Sequence, residues 1–231
     1  MRKLAVLLAL VLAIPAGAAK KKKGIPLLKR PNQVAEVAGL ILPPLQQACS
    51  NWAWAAALQA TLALQQVPLK QDFWVQKASG GDLCLDRPLI VHEAGRSAQP
   101  DDILPRDLEV YAQTVSGSYT LDDGRKVTLT VQADSGLPDD PSALIAAAKE
   151  GRPTLLFWRN RVYLLYGVVY DEYVYPTGQL MHVIKELKLL DPLEQGDKQK
   201  IAFTAGKDNA AEIEGTMQVV AKQVEGPKWV R

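Results

Sequence analysis

The stretch Gln47-Ala48-Cys49-Ser50-Asn51-Trp52-Ala53-Trp54-Ala55-Ala56-Ala57-Leu58-Gln59 constrains this chain more than any other. From Trp52 to Gln66 the residues Trp52, Ala55, Ala56, Leu58, Leu62 and Leu64 make the segment apolar nearly all round rather than along one stripe. A helix of that kind is stable only when buried. The polar residues just before it include Gln47 and Cys49, one of only two cysteines.

The first residues read as a leader. Arg2 and Lys3 precede an apolar run from Leu4 to Ile14, followed by Pro15 and the small residues Ala16-Gly17-Ala18. This is the pattern of a secretory signal peptide over 1–19, too short for a good membrane span, with general secretion as the default route. The product is expected to be secreted or periplasmic, with no membrane attachment. Lys20 to Lys23, Lys29 and Arg30 mark 20–42 as a basic linker, 43–205 as one α+β domain and 206–231 as a solvated C-terminal tail.

The whole chain has 27 Lys+Arg and 25 Asp+Glu. Without the six cations of the leader and the lysine run, 21 face 25, a net charge of −4. Such a body lacks the basic surface that nucleic-acid binding requires. Cys49 and Cys84, an even pair in an exported chain, read first as a disulfide.

Further along, Gln71 to Ala78 reads as a second short helix, and another is expected near Arg106 to Gln113. Alternation of Tyr119, Leu121, Val127, Leu129 and Val131 around Asp122-Asp123-Gly124 reads as a β-hairpin. Asp140 and Pro141 open a helix that Gly151 stops. Thr154 to Trp158, Arg161 to Asp171 and Leu187 to Leu190 read as strands.

These segments resemble the papain-like cysteine proteases, specifically secreted bacterial members similar to bacteriocin-leader peptidases and plant-effector proteases. In that family a Gln lies six residues before a catalytic Cys, which Trp-Ala and an apolar helix follow. Here Gln47, Trp54 and Ala55 match, and Ala53 stands at the nucleophile position. A helix N-terminus stabilises a thiolate, and a Gln amide can donate to the developing oxyanion, but Ala53 has nothing to ionise. The run of helix, Gly151-Arg152-Pro153 and strand resembles the segment before the family's catalytic His. Counting back six from Gly167 puts Arg161 at that His position, and a guanidinium is no general base. Asp191 keeps the position that orients the His.

The resemblance covers about Pro43 to Pro192. It implies a papain-like fold, an N-terminal helical half packed on a C-terminal antiparallel β-sheet, with Gln71 opening the second helix and a bridge from Cys49 to Cys84. It also implies a catalytically inactive homologue that holds an extended peptide or protein through Gln47, Trp54, Arg161 and Asp191, with Arg161 and Asp191 ion-paired beside Ala53. Two alternatives stay open. One is an active peptidase with Cys49 as displaced nucleophile, served by His92 or His182; the other is a structural envelope protein that binds nothing. His182 and Asp191, nine residues apart on one strand, lie too far apart to touch. Two histidines and two cysteines in no ligand pattern suggest neither a metal nor a cofactor, and the chain is expected to be a monomer.

Overall fold

The computed structural model describes residues 26–38, 46–49, 52–79, 108–159, 161–194, 196–208 and 210–225. The signal-peptide reading, Cys84 and His92 lie outside these residues. Strand β1 (Leu28–Glu36) is followed by helices α1 (Ala53–Leu64), α2 (Gln71–Ser79) and α3 (Leu108–Val115). Then come β2 (Gly117–Thr120), β3 (Lys126–Ser135), α4 (Ser142–Lys149), β4 (Thr154–Trp158), β5 (Arg161–Val174), β6 (Leu180–Leu190), β7 (Lys200–Thr204) and β8 (Ile213–Glu225). The class is α+β: among the described residues one eight-stranded sheet runs in the order β2-β3-β8-β4-β5-β6-β7, with β1 joined to β5 and each of these strands paired antiparallel.

Alternation gives the sheet two buried faces. Leu155 and Phe157 of β4, Val162 and Leu164 of β5 and Met217 and Val219 of β8 face α1, α2 and α3. Leu156 and Trp158 of β4, with Tyr163 and Leu165 of β5, face the opposite way into a second core with Leu144, Ile145 and Ala148 of α4. The largely apolar α1 is thus covered by the sheet on one side and by α2 on another, and Trp54 packs edge-on against Tyr111 of α3 with ring centroids 5.3 Å apart. Its first helical residue is Ala53 and its N-cap residue Trp52 makes no side-chain cap.

Two glutamine side chains stand in for strands. Gln65, just after α1, donates from Nε2 to the Val219 carbonyl at 2.9 Å and accepts the Ala221 N–H at 2.8 Å. Gln71, opening α2, accepts the Ala48 N–H and donates to the Gln46 carbonyl, both at 2.9 Å. A primary amide offers a donor and an acceptor side by side, so each satisfies backbone groups that a neighbouring strand would otherwise take.

Two boundaries differ from the sequence reading. Part of the segment read as a basic linker, Leu28–Glu36, is a strand, because its cations find carboxylates on β5: Lys29 pairs with Asp171 at 2.9 Å and Arg30 with Glu172 at 2.6 Å. Lys29 holds the Asp171 carboxyl below the usual range, helped by the Asn32 N–H. Pro31, the cations and a register shift between Arg30 and Gln33 are features of an edge strand. Within 206–231, read as a solvated tail, Ile213–Glu225 is the inner strand β8, hydrogen-bonded to β3 and β4. Glu214, Gln218 and Lys222 gave it a polar look, yet Ile213, Gly215, Met217 and Val219 alternate into the interior.

Gly215 sits where β8 meets both neighbours, opposite Phe157 and Ser135. A Cβ there would lie 2.0 Å from Leu108 Cδ1 and 2.8 Å from the Asp134 carbonyl oxygen. Leu108 can turn aside, but the backbone oxygen cannot, so Gly215→Ala is expected to cost about 1–3 kcal/mol and to lower the melting temperature by roughly 2–4 °C per kcal/mol. An unchanged melt would show that α3 does not seat on β8 this closely.

Candidate functional site

The loop into α1 is held from three sides. The Trp52 N–H bonds the Cys49 carbonyl at 3.0 Å, and Gln71 grips Gln46 and Ala48 as above. The Gln47 N–H bonds the Pro192 carbonyl at 3.2 Å, which draws the loop to the end of β6 next to Asp191. The Gln47 side chain donates to the Cys49 carbonyl at 3.0 Å. Ala53, 4% exposed, belongs to the same core cluster as Val162 at the start of β5. Trp54, expected to touch a ligand, is core: it is 5% exposed and packed on Tyr111. No cysteine among the described residues is a free thiol, and Cys49 is disulfide-bonded.

Arg161 and Asp191 meet. Arg161 Nη2 donates to Asp191 Oδ1 at 2.7 Å, and the same oxygen accepts the Leu193 N–H at 2.9 Å. Asp191's side chain is 3% exposed against 22% for Arg161. The guanidinium carbon lies 5.5 Å from the centre of the Tyr163 ring, within cation–π range.

The face on which they meet is not that of α1. Arg161 is the cross-strand partner of Trp158, and both Trp158 and Tyr163 belong to the α4 core. Val162 is the β5 residue that turns toward α1. The pair therefore projects from the side of the sheet opposite Ala53, which corrects the expectation that it lies beside that residue.

The physical cause is a β-bulge between Leu165 and Gly167. One extra residue shifts the alternation, so Leu165 and Val168 share a face although they are three positions apart. Gly167 and Arg161, six apart, end on opposite faces. Counting back from the glycine found the strand end but not the side.

Arg161, Asp191, Gln47 and Ala53 thus gather at one end of the sheet in two groups. Near α1 stand an alanine, a valine and a glutamine; behind them stands a part-buried ion pair. None of these can yield a nucleophile or accept a proton as a base at Ala53. His182 lies elsewhere, beneath the start of α4, 2.9 Å from Ser142 Oγ. The parts that Val162 and Gln71 play at the site escaped the sequence reading. Val162 looks like any strand valine, and the role of Gln71 becomes visible only when Gln46 and Ala48 stand beside it.

No protein-family model matches the chain, and no curated protein does. Among solved structures, the crystal structure of UfSP from C. elegans is similar at 13% identity and a TM-score of 0.42, covering 83% of this chain and 34% of that one. This chain spans about a third of the length of that protein. A superposition of that quality does not identify a fold family.

Because Asp191 is the buried partner, removing Arg161 leaves a carboxylate with little besides a backbone N–H. Arg161→Ala is expected to cost about 1–3 kcal/mol, and a double-mutant cycle with Asp191→Ala should show a coupling of about 1 kcal/mol or more. Additive losses in thermal or urea melts would mean that the two charges do not depend on each other.

Proposed function

We propose that this chain is a papain-like cysteine-protease homologue without peptidase activity, exported from the cell, that holds an extended peptide or protein. The observation that carries the loss of activity is the composition of the helix start: Ala53 at the first position of α1, clustered with Val162. Acyl transfer needs a nucleophile and a base within hydrogen-bond reach, and neither residue can supply one. Arg161 cannot serve as the base, since it keeps its proton and projects the other way.

The papain-like arrangement is supported by the Gln47-to-Trp54-Ala55 block in sequence, by a buried helix opening at Ala53, and by a loop tied to the end of β6 beside Asp191. Export is supported by the leader pattern over 1–19. A bridge from Cys49 to Cys84 is supported by the presence of only two cysteines in the chain and by the bonded state of Cys49. The rival in which Cys49 is a displaced nucleophile is disfavoured, because a disulfide sulfur is not a thiolate and Cys49 precedes the helix's first turn.

Incubation with casein and with peptide libraries is expected to give no cleavage, and Ala53→Cys to stay inactive because no base accompanies the new thiol. Proteolysis that disappears in Cys49→Ala would overturn the reading. Panning a peptide library on the exported chain is expected to enrich extended segments; enrichment of none would leave a structural envelope protein instead. Alkylation of the unreduced, denatured chain should add no mass, and two added labels would remove the Cys49–Cys84 bridge.

A further inference from the structure

On the face that α4 covers, Ser142, His182 and Glu172 meet. Ser142 is the first residue of α4, and Glu172 and His182 are cross-strand partners on β5 and β6. Ser142 Oγ lies 2.9 Å from His182 Nδ1, and His182 Nε2 lies 3.4 Å from Glu172 Oε2. The residue types are those of a hydrolytic triad, but the hydroxyl proton is committed elsewhere. Ser142 Oγ lies 2.6 Å from Asp140 Oδ1, which also accepts the Ser142 N–H at 3.0 Å. An ionised carboxylate only accepts, so Ser142 donates to Asp140 and presents a lone pair to His182. That ring is left facing an acceptor on each side, and an imidazole can donate from both nitrogens only when protonated.

We propose that His182 is a protonation-controlled clasp between α4 and the β1–β5–β6 part of the sheet. In its charged form it donates to Ser142 from Nδ1 and to Glu172 from Nε2. When the proton leaves, Nδ1 keeps Ser142, and Nε2 turns a lone pair toward the Glu172 carboxylate. The link from α4 to Glu172 then opens, and with it the chain of contacts that continues through Glu172 Oε1 to Arg30 of β1 at 2.6 Å.

Charged groups and an aromatic ring surround the imidazole. From the loop before α4 comes Asp140, and from β5 comes Glu172 in contact with the ring. Tyr170 of β5 meets the ring edge-to-face at 5.3 Å. The opposing cations stand one group further off: Arg30 beyond Glu172, and Lys149 of α4 over the Tyr170 ring at 5.9 Å. The Ser142 hydroxyl, then its N–H, holds Asp140 below the usual carboxylate range. Burial pushes Glu172 up, but the hydrogen bonds from Arg30 and His182 outweigh it and leave its carboxyl lowered. Both carboxylates therefore contribute above the acid range and lose that contribution as pH falls through their lowered values.

Melts of the full chain, His182→Gln and Glu172→Gln at pH 5.5 and pH 8.5 test this, together with two-bond 1H–15N spectra of the imidazoles. With only two histidines in the chain, His92→Gln assigns them. The unmodified chain is expected to melt about 2–4 °C above His182→Gln at pH 5.5 and to lose that lead by pH 8.5, whereas Glu172→Gln, which also takes the carboxylate from Arg30, keeps part of its deficit at both pH values and narrows it at the higher. The His182 ring should carry protons on both nitrogens at the lower pH and on Nδ1 alone at the higher. A lead that is the same at both pH values, or a singly protonated ring at pH 5.5, overturns the proposal. If His182→Gln does not fold, the ring spectrum of the unmodified chain and the Glu172→Gln melts still decide it.

Discussion

The alternation of β5, and its one break at Tyr166, governs what else can meet in this molecule. Fourteen residues long, the strand runs between β4 and β6 in its first half and between β1 and β6 in its second. Before the break, Val162 and Leu164 serve the core under α1; after it, Val168 and Tyr170 serve the core under α4. Both cores hang on one strand, and the bulge lets a single backbone feed them in different registers. Gly167 makes the crossing possible, because a Cβ there would come within 3.1 Å of Lys188, 3.3 Å of Glu36 and 3.4 Å of the Ala35 carbonyl. Those neighbours are the 2.6 Å Lys188–Glu36 ion pair and the backbone of β1, so a side chain at 167 would crowd the two paired side chains by a few tenths of an ångström.

The edge strand in turn explains the fate of the basic segment. Each of its ion pairs has an exposed member, and such pairs contribute little singly. Lys29, Arg30 and Glu36 act together on three different partners, and they fix the register of a strand whose Pro31 and Asn32 interrupt the ladder. Asn32 has φ 50° and its N–H turns to the Asp171 carboxylate at 3.1 Å. Charge thus does for β1 what apolar burial does for β4.

What could be read from the residues alone followed local physics. The helices, the hairpin of β2 and β3, and the run from Asp140 through Gly151 to Trp158 all announce themselves by periodicity, caps and turn residues. Gly151 adopts φ 76° and the Arg152 N–H returns to the Ala147 carbonyl, as a helix stop should. Strands β1 and β8 were illegible for opposite reasons. One is polar because its partners are carboxylates far along the chain, and the other mixes charge with small residues because Leu108 must sit on Gly215. At the candidate site, the meeting of Arg161 and Asp191 was legible because both flank strand ends. The face on which they meet was not, since a bulge leaves no mark in composition. His182 looked bland because its partners, at positions 142 and 172, come from two other elements.

The position of β8 also says something about the order in which this molecule can come together. The strand lies between β3 and β4, and its pairs with β3 join Ser135 to Gly215 and Lys126 to Glu225. Closing so large a loop must precede any reward from the contacts it brings. Until β8 arrives, β2 and β3 have no hydrogen-bonded route to β4, and Leu129, Val131, Leu155 and Phe157 lack their central neighbour. Without β8 the remaining strands would form two separate pieces of sheet with open inner edges, the kind of edge that pairs most readily with another chain.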